Sequence, residues 1–167
     1  MKMTMKEWLV AVLAVAAVCW GTTLAAQDKE AAKAALSARV SLERGLSVSA
    51  SHGRPISAKF EMEDGKLQLS VYTATTGRFF EVVVDPSSGA VIKTEPIGEG
   101  EDYTAAQSQS AAMAKAKVSL RAAVQRALRG NAGFRAVSVT PSLKDGRAVA
   151  EVALAKGEEL KTVSVPL

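Results

Sequence analysis

From residue 56 the chain alternates apolar and polar side chains, with Ile56, Ala58, Phe60 and Met62 set against polar neighbours in ISAKFEME. A period of two predicts a strand with one buried face. Asp64-Gly65 leads into KLQLSVYTA, which alternates again, and Thr76-Gly77 leads into a third strand, RFFEVVVD. Asp-Gly is the dipeptide that accepts the positive φ angles of a tight hairpin. Residues 79–93, FFEVVVDPSSGAVIK, break an apolar run at Asp85, Pro86, two serines and Gly89 before it resumes at Ala90 and Val91. Pro86 presets the second position of a tight turn, Asp85 bonds the amides beyond it, and Gly89 accepts a positive φ. The stretch reads as strand, turn and strand.

Upstream the period is helical, and it occurs twice. RVSLERGLSVSA at 39–50 parallels KVSLRAAVQRAL at 117–128, each after an alanine-rich lead-in, AAKAALSA and SAAMAKA. Ser41 and Ser119 stand where an N-cap belongs, accepting the first orphan amides of a helix. Leu42, Leu46 and Ala50 in the first copy, and Leu120, Val124 and Leu128 in the second, then recur at helical spacing. Each helix is followed by a glycine-bearing break, SHGRP or RGNAG, and by strands. The second copy retraces the first through FRAVSVTPSL, Asp145-Gly146, RAVAEVALA, Lys156-Gly157 and LKTVSVPL. The predicted class is α+β, built as two small modules, each a helix packed on a three- to four-stranded antiparallel sheet. Between them, EPIGEGEDYTAAQSQS is rich in glycine, acids, serine and glutamine, which predicts a linker over residues 98–112.

The order of these elements resembles the PepSY domain, a small module of secreted metallopeptidase propeptides and bacterial envelope proteins. The likeness is carried by VSLERGLSVSA for the opening helix, FEMEDGKLQLSVYT for the central hairpin and FFEVVVDPSSGAVI for the closing strand, turn and strand. The Asp-x-x-x-Gly turn is a hallmark of that family. Residues 27–97 form the first PepSY-like module on this reading, and residues 113–167 a degenerate second one. In that copy Pro166 and Leu167 stand where Asp85 and Pro86 stand, and the final turn and strand are missing.

The first 26 residues change where such a protein would work. Lys2 and Lys6, offset by Glu7, precede the apolar stretch Trp8 to Trp20 and then TTLAA, the layout of a secretory signal peptide cut after Ala25 or Ala26. An uncleaved anchor is the alternative, although a thirteen-residue apolar core is short for a membrane span. Val18 before Cys19 argues against lipoprotein processing, which requires a small residue there. Cleavage removes the single cysteine and both tryptophans, leaving about 140 residues with no disulfide or thiolate chemistry and an ordinary core to build. The whole chain carries +4, and losing Lys2, Lys6 and Glu7 leaves +3. Basic and acidic residues are interspersed and aromatics sparse, which excludes a nucleic-acid groove.

Candidate chemistry is thin. His52 is the single histidine and has no cysteine or second histidine to join it in a metal or triad arrangement. Glu61, Glu63 and Asp64 at one hairpin, and Glu99, Glu101 and Asp102 in the expected linker, lack the spacing of a calcium loop and read as solvated charge. Asp85 reads as a local turn former. Phe79, Phe80 and Tyr72 are the aromatic concentration; neighbouring strand residues point to opposite faces, so one phenylalanine should enter the core and the other face out or meet a partner. These readings predict a non-enzymatic protein, periplasmic or secreted, with no cofactor, that binds a protein of the cell envelope. The PepSY resemblance implies a peptidase as such a partner, to be inhibited or regulated. The alternative is an envelope sensor that holds a small molecule or metal ion.

Overall fold

The computed structural model of the protein describes residues 20–167. Along the chain come α1 (Trp20–Ala35), α2 (Leu42–Ser49), a 3-10 turn (Ala50–His52), β1 (Arg54–Glu63), β2 (Lys66–Thr75), β3 (Arg78–Val84), β4 (Val91–Ile97), α3 (Gly100–Ala114), α4 (Leu120–Arg129), β5 (Arg135–Lys144), β6 (Arg147–Lys156) and β7 (Glu159–Pro166). The charged and apolar segments of the expected leader, residues 1–19, lie outside the described residues, and the expected cut after Ala25 or Ala26 falls within α1. No helix among the described residues is long and apolar enough to cross a membrane.

Local chemistry accounts for most of these elements. Ser41 Oγ accepts from Arg44 N and Ser119 Oγ from Ala122 N, each at 3.2 Å, so both expected N-caps start their helices. Asp64 and Gly65, and Asp145 and Gly146, all adopt positive φ, the requirement of the two-residue hairpins that join β1 to β2 and β5 to β6. The Asp85 turn is closed by Asp85 N donating to Ala90 O at 2.8 Å and Gly89 N to Asp85 O at 2.9 Å. Asp85 Oδ1 accepts from Ser87 N, Ser87 Oγ, Ser88 N and Ser88 Oγ at 2.6–3.0 Å. These bonds, led by the Ser87 hydroxyl, hold its carboxyl far below the usual carboxylate range. The same turn docks the opening of α2: Val40 N donates to Pro86 O at 3.0 Å, and Gly89 is buried beneath Val40.

The repeats do not form two separate sheets. All seven strands make one antiparallel sheet in the order β4-β3-β2-β1-β5-β6-β7. β1 pairs β5 through Ala58 with Val139 and Lys59 with Ser138. Ala58 and Val139 are each the fifth residue of their strand, so the equivalent strands pair about their own equivalent positions, and an approximate two-fold axis runs through the sheet there. The expectation of two modules joined by a linker is therefore corrected. Each copy has two helices, because the alanine-rich lead-ins belong to α1 and α3, and most of residues 98–112 lie in α3. Ala106, Ala112 and Met113 on α3 are buried, which gives that segment the apolar anchorage its composition conceals.

The two sheet faces bury different chemistry. Ile56, Ala58, Leu69, Val71, Val82, Val84, Val139, Val152 and Leu154 alternate onto one face, where α2 and α4 pack through Leu42, Leu46, Leu120 and Val124. Lys59, Glu61, Ser70, Tyr72, Phe79 and Glu81 alternate onto the other, beside α3, whose Tyr103 meets Phe79 and whose Asp102 lies at Tyr72. Two arginines tie the copies together from the first residue of each copy's first strand. Arg54 donates to Met113 O, and Arg135 donates to Val40 O at 2.5 Å.

Candidate functional site

The α3-side face of the sheet gathers a cluster of polar groups. β1 supplies Lys59 and Glu61, β2 supplies Gln68, Ser70 and Tyr72, and β3 supplies Glu81. Glu61 is the hub: Lys59 Nζ lies 2.6 Å from its Oε2, Gln68 Nε2 donates to Oε1 at 3.1 Å, and Ser70 Oγ donates to Oε1 as well. Burial raises the pKa of Glu61, but the hydrogen bonds from Lys59, Ser70 and Gln68 outweigh it and hold the carboxyl below its ordinary value. Lys59 mirrors this. Burial alone would lower its pKa, and Glu61, followed by Asp102 and Asp28, raises it on balance.

Glu81 differs from Glu61 because among the described residues it forms no ion pair. Burial pushes its pKa up, Ser70 opposes, and the charges of Glu61 and Asp102 add to the rise. The Tyr72 phenol is likewise pushed well above its ordinary value, first by burial and then by bonding to Asp102 beside the charges of Glu81 and Glu61. The cluster therefore holds one secured carboxylate and one reluctant one on a half-buried surface. Among the described residues no group of three or more His, Cys, Asp or Glu side chains is arranged to hold a metal ion. The cluster's hydrogen bonds join β1 to β2 beneath α3.

The three aromatic candidates separate. Phe79 and Tyr72 share the α3 face; the Phe79 ring meets Tyr103 edge-on, with centroids 5.6 Å apart and planes at 67°. Phe80 points the opposite way, opposite Thr73 and Pro96, with the Arg78 guanidinium 5.5 Å from its ring centroid. Both phenylalanines are half-buried, so the division into one core ring and one free ring resolves into two rings with intramolecular partners. His52 is half-buried, with Nδ1 3.4 Å from Thr94 Oγ1, and its carbonyl accepts from Thr73 Oγ1 at 3.4 Å. It belongs to the seam between the 3-10 turn and β4. Glu63, Asp64, Glu99 and Glu101 are exposed, as expected of solvated charge, whereas Glu61 departs from that expectation because β2 and Lys59 enclose it in hydrogen bonds.

Asp102 and Tyr103 are the site residues that sequence reasoning missed as partners of Tyr72 and Phe79. Their signal was Tyr103, Ala106 and Met113 recurring at helical spacing inside a segment dominated by polar residues.

A second feature is the free edge of the sheet at β4. Five of its seven residues, Ile92 through Pro96, are exposed, and Ile92 is 63% exposed. A register shift between Val83 and Val84 sets β4 against β3 with a bulge beside Ile92.

No family model matches the chain, and no curated protein matches it. Among solved structures the chain is similar to a protein of Clostridium difficile described as a "putative lipoprotein", at 10% identity over 71% of this chain and 80% of that one, with a TM-score of 0.42. A likeness of that size carries no inference about what this chain does.

Proposed function

We propose that this chain is a non-enzymatic, exported protein, a fused pair of PepSY-like units, that binds another protein of the cell envelope through the β4 edge of its sheet. The observation that supports this reading is the edge itself: Val91–Ile97 is a seven-residue strand, paired on one side by β3 and exposed from Ile92 to Pro96. An unpaired strand edge offers main-chain donors and acceptors to an incoming extended segment, and side chains such as Ile92 select it. Lys93 and Pro96 stand on the same strand and discourage pairing of the edge with a second copy of itself. A peptidase is the partner class the PepSY resemblance suggests, with the bound segment blocking or regulating it.

The test is photo-crosslinking from position 92 in the exported chain, in its native envelope. One envelope protein should crosslink there, and none from position 160 on the opposite edge strand β7. Ile92→Asp should abolish the capture of that protein while leaving the melting temperature within a few degrees. A chain that gains melting temperature with metal ions or small metabolites, yet crosslinks no protein from position 92, would make the sensor reading the better one.

A further inference from the structure

A cavity of about 500 Å³ opens where the two copies meet, between α2, the start of β1 and the turn from α3 to α4. That volume suits a small molecule and is too small for a helix or strand of a partner. Leu46, Ala50, Met113, Ala116, Val118 and Leu120 give it an apolar lining. Three cations, Arg54, Lys117 and Arg121, also line it, with no Asp or Glu among the lining residues. Among the described residues none of the three makes an ion pair. Arg54 spends one N–H on Met113 O, which leaves guanidinium donors over. The amino end of α4, where Arg121 sits in the first turn, adds to the same positive potential.

The pseudo-two-fold axis supplies an internal comparison. The equivalent corner of the other half lies between α4 and the opening of α2, where a hollow is bordered by Glu43, Gln125, Leu128 and Arg129. By the alignment of the two helices from their N-caps, Leu128 stands there in place of Ala50 and Glu43 in place of Arg121. A leucine stands where the cavity has an alanine, and a carboxylate where it has a guanidinium. The loop at that corner is tied through Val40 to Pro86 and Arg135. Arg54 and Lys117 have basic counterparts there in Arg135 and Arg39, so the corners differ at Ala50 and Arg121, and the cavity is the corner whose cations face no carboxylate.

We propose that this cavity binds an amphiphilic carboxylate, with a medium-length alkyl chain among Leu46, Ala50, Val118 and Leu120 and the carboxylate at Arg54, Lys117 and Arg121. The proposal is independent of partner binding at β4. Decanoate is the probe, titrated below its micelle concentration into the exported chain purified without detergent. Binding should saturate at one per chain and raise the melting temperature. Octanoate should bind roughly tenfold or more weakly, since each buried methylene is worth about fourfold in affinity. Decan-1-ol and decyltrimethylammonium should each be weaker by tenfold or more, and decanoate affinity should fall with added salt.

Ala50→Leu, which reproduces the twin corner at an exposed position, should abolish binding, and Arg121→Glu should weaken it at least tenfold with the fold intact. Arg121 is a surface residue, so its variant keeps the test decisive if Ala50→Leu disturbs packing. Acetate or inorganic phosphate binding as tightly as decanoate would overturn the proposal, and so would undiminished decanoate binding to either folded variant, or no saturable binding at all.

Discussion

Gly45 sits in the middle of α2 and is buried, and changing it to Ala sets two opposed effects against each other. An interior helical glycine costs about 1 kcal/mol relative to alanine, so helix propensity alone makes Gly45→Ala stabilising. Packing opposes this. A Cβ at position 45 would overlap Leu69 Cδ2 and lie 3.0 Å from Leu69 Cγ. Leu69 cannot step aside easily, because it is fully buried and pinned in register between Phe60 on β1 and Val84 on β3. Overpacking of this kind costs about 1–3 kcal/mol, so the net effect should be a loss of about 1 kcal/mol.

Leu69→Ala alone should cost about 2–5 kcal/mol, through lost transfer energy and the cavity it leaves. In that background the methyl group added at position 45 enters vacated space, and Gly45→Ala should stabilise by about 1 kcal/mol. The cycle therefore predicts a coupling of about 2 kcal/mol between the two positions. Urea unfolding of the four proteins, fitted with a common m-value, measures it. If Gly45→Ala stabilises the parent protein and the variant lacking Leu69 equally, α2 is not seated on β2 as described.

Three further outcomes follow from the same contacts. Because β1 and β5 share one sheet, with Arg54 and Arg135 reaching across the copies, the chain should unfold in a single urea transition, coincident by circular dichroism and by tyrosine fluorescence; two resolved transitions would mean independent modules. Gly89→Ala should destabilise by about 1 kcal/mol or more, since Gly89 has φ 76° and its Cβ would lie 3.4 Å from Val40 Cγ2, whereas Asp85→Ala should lower the melting temperature and leave partner binding unchanged. Glu81 binds its proton more tightly folded than unfolded, so the native state loses stability as pH rises from the unfolded carboxylate pKa through the raised folded value. Glu81→Gln should therefore stabilise at pH 7 and make no difference at pH 3, and a variant less stable than the parent at neutral pH would contradict this.

The residues that were legible in the sequence are those whose chemistry is local. Ser41 and Ser119 cap the helices beside them, Asp64-Gly65 and Asp145-Gly146 turn the strands on either side, and Asp85 bonds Ser87 and Ser88 just beyond it. What stayed hidden depends on which strand lies beside which. Alternation in β1 announces one buried face, yet Ser57 is 8% exposed on the other, because β5 pairs alongside and the second layer of helices covers it. Helix α3 was hidden for a related reason. It packs on a sheet face of Ser57, Ser70 and Tyr72, where alanine permits close approach, so it never shows the leucine stripe by which α2 and α4 declare themselves.

The duplication has a consequence for function as well. A two-fold fold presents every corner twice, and positions alike in both copies, such as the Val-Ser-Leu helix openings, are what both halves need in order to fold. Ala50 against Leu128 and Arg121 against Glu43 serve no such shared need, since either residue satisfies its helix. One corner carries a carboxylate among its cations, the other cations alone, and the difference is concentrated at the cavity where α2, β1 and α4 meet. In a chain that repeats itself, the unlike positions at like places carry the information that the fold does not require.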